Sequence, residues 1–480
     1  MSFLKRPERT ERPKGSPRFR MFKSSNRSVA KRAASTLALT LVILLALNAL
    51  LCWVLTPYGS KTNLAWHDYR KLSALDTIVV GSSYAQNSIN PSELDAVLGS
   101  QSFNLGTPDQ SLDNSYVALQ SAIDDWHIQR AILCMEYDTL FIEPIAQSEI
   151  SFISYKQQQE PLSQALQDQL SLMSNDYFFS RHYSLTCLFP WAYNHVPITP
   201  DGIASNINDH LQGDIHAAAS SYAQRTDGDS WDYNEGFIGL NTTLHGACTH
   251  RYDYAPYKDE EIKHDTWRTL QRICDLCSNN GVKLYIVAPP TAVSSLIANG
   301  EAYSKRMGAV QELATQTGAT FFDLNLTKLE TLLLDGNELS DLTHLSADGA
   351  ARTSAALAGL IRDTEAGLDT SGSFYPYNED GWNEYLASIQ YVGSVDYSVK
   401  RNHGSILLEA KALTGSSNTI MYQFETRSPE GGTWTLARTW DLSSSLDLRM
   451  NETKSMEVRV SARTLQRGDI VKWVTGIVTK

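Results

Sequence analysis

Apolar and polar positions follow three different rhythms along this chain. Residues 33–55, AASTLALTLVILLALNALLCWVL, form one apolar run without a charged side chain. At a helical rise of about 1.5 Å per residue, such a run crosses a bilayer core of about 30 Å. The run is long for a signal-peptide core and no small-x-small cleavage site precedes Pro57, so a retained membrane anchor is expected.

After residue 74 the rhythm changes to short apolar runs separated by stretches of helical period. TIVV (77–80) leads through Gly81 into Ser82 and Ser83, and a helix follows in which Asn90 caps, Pro91 opens and Gly99 closes. SFNLG (102–106), a helix over 112–126 and AILCMEYD (131–138) continue the pattern. It resumes with a helix over 260–277, the strand VKLYIVAPP (282–290), a helix near 302–316 and the strand ATFFDLN (319–325). Alternating strands and helices predict an α/β domain with a mostly parallel sheet covered on both faces. Ligands of such sheets bind beyond the carboxyl ends of the strands, where Ser82 and Ser83 lie. Residues 143–258 break the pattern with an aromatic-, Gly-, Asn- and Asp-rich insertion, placed to wall or cover a site.

The third rhythm is period two. After a linker (366–390), residues 391–480 carry alternating runs at 405–412, 420–427, 434–440, 456–463 and 469–478. They predict an antiparallel β-sandwich of immunoglobulin or fibronectin type. Tyr422, Trp434 and Trp440 are candidates for glycan contact or, more simply, for its core.

Charge divides the chain at the apolar run. Residues 1–32 hold eleven Lys or Arg against two Glu, a net +9, which leaves −21 for the rest of a chain whose formal charge is −12. Basic flanks stay cytoplasmic, so the tail is expected inside and residues 57–480 outside. An acidic exterior region repels phosphates and argues against nucleic acid as a partner. The cysteines add no chemistry. Cys274 and Cys277 lack a second ligand pair, Cys52 and Cys134 lie in apolar runs, and Cys187 and Cys248 are candidates for a disulfide in an oxidising exterior. His182, His195, His210, His216, His245 and His250 show no metal-ligand spacing, and no metal or cofactor is expected.

The remaining chemistry lies in SDLTHLSADGAARTSAALAGLI (340–361). Asp341 and His344 share one loop, and Ser346 is placed to cap the helix that follows. A serine nucleophile needs a base to take its proton and a carboxylate to hold that base in one tautomer. An Asp-x-x-His loop after the last strand offers both to a serine at the end of the first.

Gly81-Ser82-Ser83, Asn104-Leu105-Gly106 and Asp341-x-x-His344 together resemble the first, second and fifth sequence blocks of the SGNH (GDSL-like) hydrolase superfamily, over roughly residues 74–365. With the anchor and the large insertion, the chain resembles more narrowly the membrane-anchored branch that serves alginate and peptidoglycan O-acetylation and teichoic-acid D-alanylation. The resemblance implies a flavodoxin-like three-layer parallel sheet, with Ser83 as nucleophile, His344 as base and Asp341 as its orienter. Ser82 is the second choice of nucleophile. The oxyanion donors would be the Ser83 N–H with Gly106 or Asp109. It also implies acyl transfer or ester hydrolysis on a cell-envelope polysaccharide, chiefly of O-acetyl groups, with a polytopic membrane acyl donor as partner. Two positions depart from the pattern: Thr107-Pro108-Asp109 follows the second block, and Tyr137 stands where the third block holds asparagine. They leave open a transferase, an esterase and a non-catalytic binding or assembly module.

Overall fold

The computed structural model describes residues 22–181, 184–226, 231–244, 246–334, 336–402, 405–449 and 455–479; most of the basic tail, His182 and His245 lie outside these. One helix, α1 (Phe22–Leu55), carries the apolar run and begins well before residue 33. Charge sets where a span can enter lipid, not where a helix can start. Within α1, the 27 residues Val29–Leu55 are long and apolar enough to cross a membrane, with a mean hydropathy of 2.6 over their most apolar 18-residue window.

The helices α2 (Lys61–Tyr69), α3 (Ser83–Ser88), α4 (Pro91–Leu98) and α5 (Leu112–Trp126) accompany the first three strands of a parallel sheet. Its strands are β1 (Thr77–Val80), β2 (Ser102–Asn104), β3 (Arg130–Cys134), β4 (Lys283–Ala288) and β5 (Thr320–Asp323), in the order β2-β1-β3-β4-β5. The strands read as unbroken apolar runs because both sheet faces are buried. Ile78, Val80, Ala131 and Leu133 enter one core with Trp66 and Tyr69 of α2 and Leu119 of α5. Val79, Ile132, Val287 and Phe322 enter the other with Leu94 of α4 and Leu357 and Ile361 of the helix Ala347–Glu365.

The helix boundaries follow the expected stop signals. Asn90 Oδ1 accepts the Ser92 N–H at 3.1 Å, and Gly99 takes a left-handed φ of 62°. Ser346 Oγ accepts the Gly349 N–H at 3.2 Å. The far end of the Ala347–Glu365 helix is held to β3 by two parallel bonds from Arg130 to Glu365, at 2.8 and 2.9 Å. The Arg130 guanidinium pulls the Glu365 carboxyl down to about 2.

The insertion is largely helical, with helices Ala146–Gln158, Leu162–Ser174, Pro200–Gln212 and Ile215–Thr226 and a hairpin of Trp231–Asn234 with Phe237–Leu240. Its hairpin turn presses on β2: the Asn104 N–H donates to Glu235 O at 2.9 Å, and a Cβ on Gly236 would stand 1.8 Å from Asn104 O.

The C-terminal strands are β6 (Val392–Asn402), β7 (Ser405–Thr414), β8 (Ile420–Ser428), β9 (Gly431–Asp441), β10 (Ser445–Arg449), β11 (Ser455–Thr464) and β12 (Lys472–Thr479). One antiparallel sheet runs β10-β7-β6 and the other β9-β8-β11-β12. The sequence pattern missed β6 and β10. It also missed that Ala247–Cys248 of the insertion pairs in parallel with β12, so the insertion and the C-terminal strands share a sheet. Tyr422 is in the core between the sheets, whereas Trp434 lies between the guanidiniums of Arg427 and Arg459, 4.3 and 4.7 Å from its ring centre. Trp440 packs likewise under Arg463 at 4.2 Å. No disulfide joins Cys187 to Cys248.

Ile132 is fully buried in the central strand β3. Ile132→Ala should cost about 2–5 kcal/mol of stability, from lost transfer energy and a residual cavity. Urea unfolding followed by tryptophan fluorescence reads that loss.

Candidate active site

The first strand leaves the sheet through a turn that only glycine fits. Gly81 has a φ of 143°, and a Cβ there would lie 2.4 Å from Cys134 O on the neighbouring strand. The chain then enters α3 at Ser83, with Ser82 as its cap: Ser82 Oγ accepts the Tyr84 N–H at 3.2 Å. Ser83 is thereby carried past the carboxyl edge of the sheet, at the start of a helix where backbone N–H groups lack helical acceptors.

Ser83 faces the loop that carries Asp341 and His344. His344 Nε2 is 2.8 Å from Ser83 Oγ, and His344 Nδ1 is 2.8 Å from Asp341 Oδ2. The second contact fixes the ring with its proton on Nδ1, so Nε2 accepts from the serine hydroxyl. Asp341 Oδ1 also accepts the backbone N–H groups of Thr343 and His344, at 2.7 and 2.8 Å, and the Thr343 hydroxyl at 2.9 Å. Burial alone would raise the Asp341 carboxyl, but the His344 ring and these N–H donors hold it well below the usual carboxylate range. The loop is pinned at its base by the Ser340 N–H on His344 O and the Ser346 N–H on Glu338 O, both at 2.8 Å.

Asn104 of the second block is buried and braces the turn. Its Nδ2 donates to Ala85 O at 2.7 Å and Ile89 O at 2.8 Å, while its Oδ1 accepts the Gly106 N–H at 2.9 Å. The Gly106 N–H is therefore engaged by the Asn104 side chain rather than offered to a ligand, which corrects its expected role. Asp109, held at a left-handed φ of 52°, lines the same cavity as Ser82, Ser83 and His344.

That cavity measures 350 Å³. The insertion contributes Glu143, Pro144 and Ile145 to its wall, and a second cavity of 790 Å³ shares Asp113, Glu143, Asp265 and Thr269 with it. Among the described residues the smaller cavity is lined by Asp109, Asp113, Glu136, Asp138, Glu143 and Asp265 and by no Lys or Arg.

Of these acids only Asp109 was singled out from the sequence, and two of the others, Glu136 and Asp138, have raised pKa values. Glu136 lies just beyond β3, and its Oε1 accepts the Ser82 hydroxyl at 3.0 Å. Its stem borders the cavity, while Oε2 is shut off from solvent without a hydrogen-bond partner. Burial pushes its carboxyl up to about 7, and burial raises Asp138 to about 6. The signal is present in MEYD, where two carboxyl residues flank Tyr137 at a strand end on the ligand edge. The Tyr137 hydroxyl accepts from Arg306 Nη1 at 2.7 Å.

One cluster elsewhere has the make-up of a cation site. His67 Nδ1 is 2.8 Å from Asp68 Oδ1, and His216 Nε2 is 3.2 Å from Asp68 Oδ2, with the three ligand atoms within 4.8 Å of one another. The pattern eluded sequence reading because α2 and the helix Ile215–Thr226 meet only in the fold. Among the described residues, no such group includes a member of the Ser83 cavity.

Two outcomes follow from this geometry. Gly81→Ala should displace the α3 turn against Cys134 O and lengthen the Ser83–His344 contact, seen as loss of any reactivity that depends on Ser83. A carboxyl with a raised folded pKa contributes stability that is complete below its unfolded pKa, about 4.5, and is lost as pH rises through about 7. Glu136→Gln should therefore match the parent in thermal melting near pH 4.5 and gain on it towards pH 8.

No family model matches this chain, and no curated protein matches it. Solved structures give weak likenesses: an engineered protein at 8% identity and a TM-score of 0.14, covering 89% of this chain and 98% of that one. A β-glucosidase from Erythrobacter marinus has 11% identity and a TM-score of 0.13, covering 84% of this chain and 71% of its own.

Proposed function

We propose that this chain is a membrane-anchored serine acyltransferase or esterase of the SGNH type, acting outside the cytoplasm on acyl groups, chiefly O-acetyl, of a cell-envelope glycan. The observation that carries the reading is the continuous chain from Ser83 Oγ through the His344 ring to Asp341, with both contacts at 2.8 Å. The parallel order β2-β1-β3-β4-β5, with Ser83 following the first strand and His344 preceding the helix Ala347–Glu365, agrees with that fold type. A helix fit to cross a membrane, with basic residues before it, supports the anchoring and its direction.

In this reading the Ser83 hydroxyl gives its proton to His344 Nε2 as Oγ bonds to the acyl carbon. The resulting oxyanion is met by the Ser83 N–H at the start of α3. The donor oxygen leaves with the proton from His344, and an acyl-serine remains. An acceptor hydroxyl, or water, then loses its proton to His344 and attacks the acyl carbon, and as the acyl–Oγ bond breaks Ser83 Oγ takes that proton back from His344. Asp341 holds the Nδ1 proton and steadies the imidazolium in both halves. The carboxyl-lined cavity suits a neutral acceptor better than a polyanion. The anchor would hold the site beside an acyl donor delivered through a polytopic membrane partner, where tethering raises the effective concentration.

A second reading, a non-catalytic binding module, draws on the engaged Gly106 N–H, which leaves fewer oxyanion donors. One experiment separates the two. A fluorophosphonate probe should label the detergent-solubilised full chain and fail to label Ser83→Ala; equal labelling removes Ser83 from the mechanism. Asp341→Asn should keep the fold while lowering kcat by about 10⁴-fold, because the ring then adopts the wrong tautomer. With an activated acetyl ester, transfer predicts acetylated glycan when envelope polysaccharide is added, whereas free acetate unaffected by glycan marks an esterase.

A further inference from the structure

The insertion reaches the membrane helix at a depth that matters. Asn48, in α1, donates from Nδ2 to Leu188 O and accepts the Trp191 indole N–H on Oδ1, both at 2.8 Å. The Val196 N–H donates to Leu55 O at 2.9 Å. Lys31 and Arg32 mark where the apolar run begins. About 20 residues of helix fill a bilayer core of about 30 Å, so a span entered at residue 33 leaves hydrocarbon near Trp53. Asn48 lies one to two turns inside that edge. A polar side chain at this depth needs partners, and the structure supplies both from the insertion. Residues 188–191 must then lie at the same depth, beside α1.

The surface around that contact is apolar and uncovered. Leu185, Leu188 and Phe189 are 68, 39 and 42% exposed, and Ile198 is 65% exposed. The adjoining helix Leu162–Ser174, tied to this segment by Gln169 Nε2 on Cys187 O at 3.2 Å, bears Leu162, Leu166 and Leu170 at 75, 56 and 67% exposure. A spacing of four residues puts these three leucines in one row along the helix. Asp168, Ser171, Leu172 and Asn175, on the opposite side, line the 790 Å³ cavity. Exposed leucines in a row, continuous with a segment held against a membrane span, have the make-up of an interfacial element.

We propose that the helix Leu162–Ser174 and residues 185–198 rest in the outer leaflet of the bilayer that α1 crosses, giving the protein a second, monotopic lipid contact. The occupant of this face is the boundary between headgroups and acyl chains. The inference rests on α1 being a membrane span, and it is independent of the Ser83 chemistry. In consequence the helix that walls the larger cavity on one side faces lipid on the other.

Photolabelling tests this on the full chain in nanodiscs that contain only phosphatidylcholine, a fraction of it with a diazirine on the acyl chain. Mass spectrometry then maps the labelled residues. Label is expected in 162–170 and 185–198 as well as in 33–52, and the variant Leu166→Glu/Leu170→Glu should lose it from 162–174 while keeping it in the span. Label confined to the span overturns the proposal and indicates a protein cover, either a membrane partner or a second copy. If the span itself takes no label, the anchoring reading falls and this inference with it.

Discussion

The site depends on how closely β1 leaves the sheet beside β3. In the parallel register Val80 pairs with Leu133, so Ser83 and Glu136, each three residues further on, emerge at the same level of neighbouring strands. Strands lie only about 4.8 Å apart, and Gly81 must turn against the Cys134 carbonyl without a side chain in the way. That constraint places the serine hydroxyl where a ring from the last loop can reach it. It also places a half-buried carboxyl group, Glu136, against the Ser82 hydroxyl.

Asp341 and His344 arrive as one pre-formed unit. Leu339 and Leu345 bridge across the base of the loop, both buried in a small core with Phe237, Ala292 and Ala350. Asp341 uses one carboxyl oxygen to shape the loop, through the N–H groups of Thr343 and His344, and the other to orient the ring. A carboxylate already satisfied in this way does not reorganise when the ring becomes charged, which is the condition for electrostatic preorganisation. Phe237 belongs to the insertion hairpin, so the packing under this loop is part of the same assembly that presses on β2.

The insertion thus joins parts that the chain order keeps separate. It walls the Ser83 cavity with residues 143–145, bonds Asn48 of α1, and adds a strand to the C-terminal sheet at Ala247–Cys248. A decoration on a loop has no need of three such attachments. Their common effect is to fix the cavity at a set distance and attitude from α1.

Sequence alone determined what depends on local chemistry. The apolar run, the helix 112–126, the cap at Asn90 with the stop at Gly99, and the buried strands all follow from periodicity and from residues with fixed conformational roles. Ser83, His344 and Asp341 were legible because strand ends and a short Asp-x-x-His loop mark them in the chain itself. Tertiary structure decided what depends on groups far apart in sequence. The Gly106 N–H went to Asn104 rather than to the cavity, and Glu136 became a half-buried acid only once Ser82 and α3 closed over it. His216 met His67 and Asp68 only through the docking of two helices. Strand pairing between Ala247–Cys248 and β12 spans more than two hundred residues, and a two-residue strand has no periodicity to read. Local preference fixes elements, whereas partners for buried polar groups and sheet edges exist only after the chain has packed.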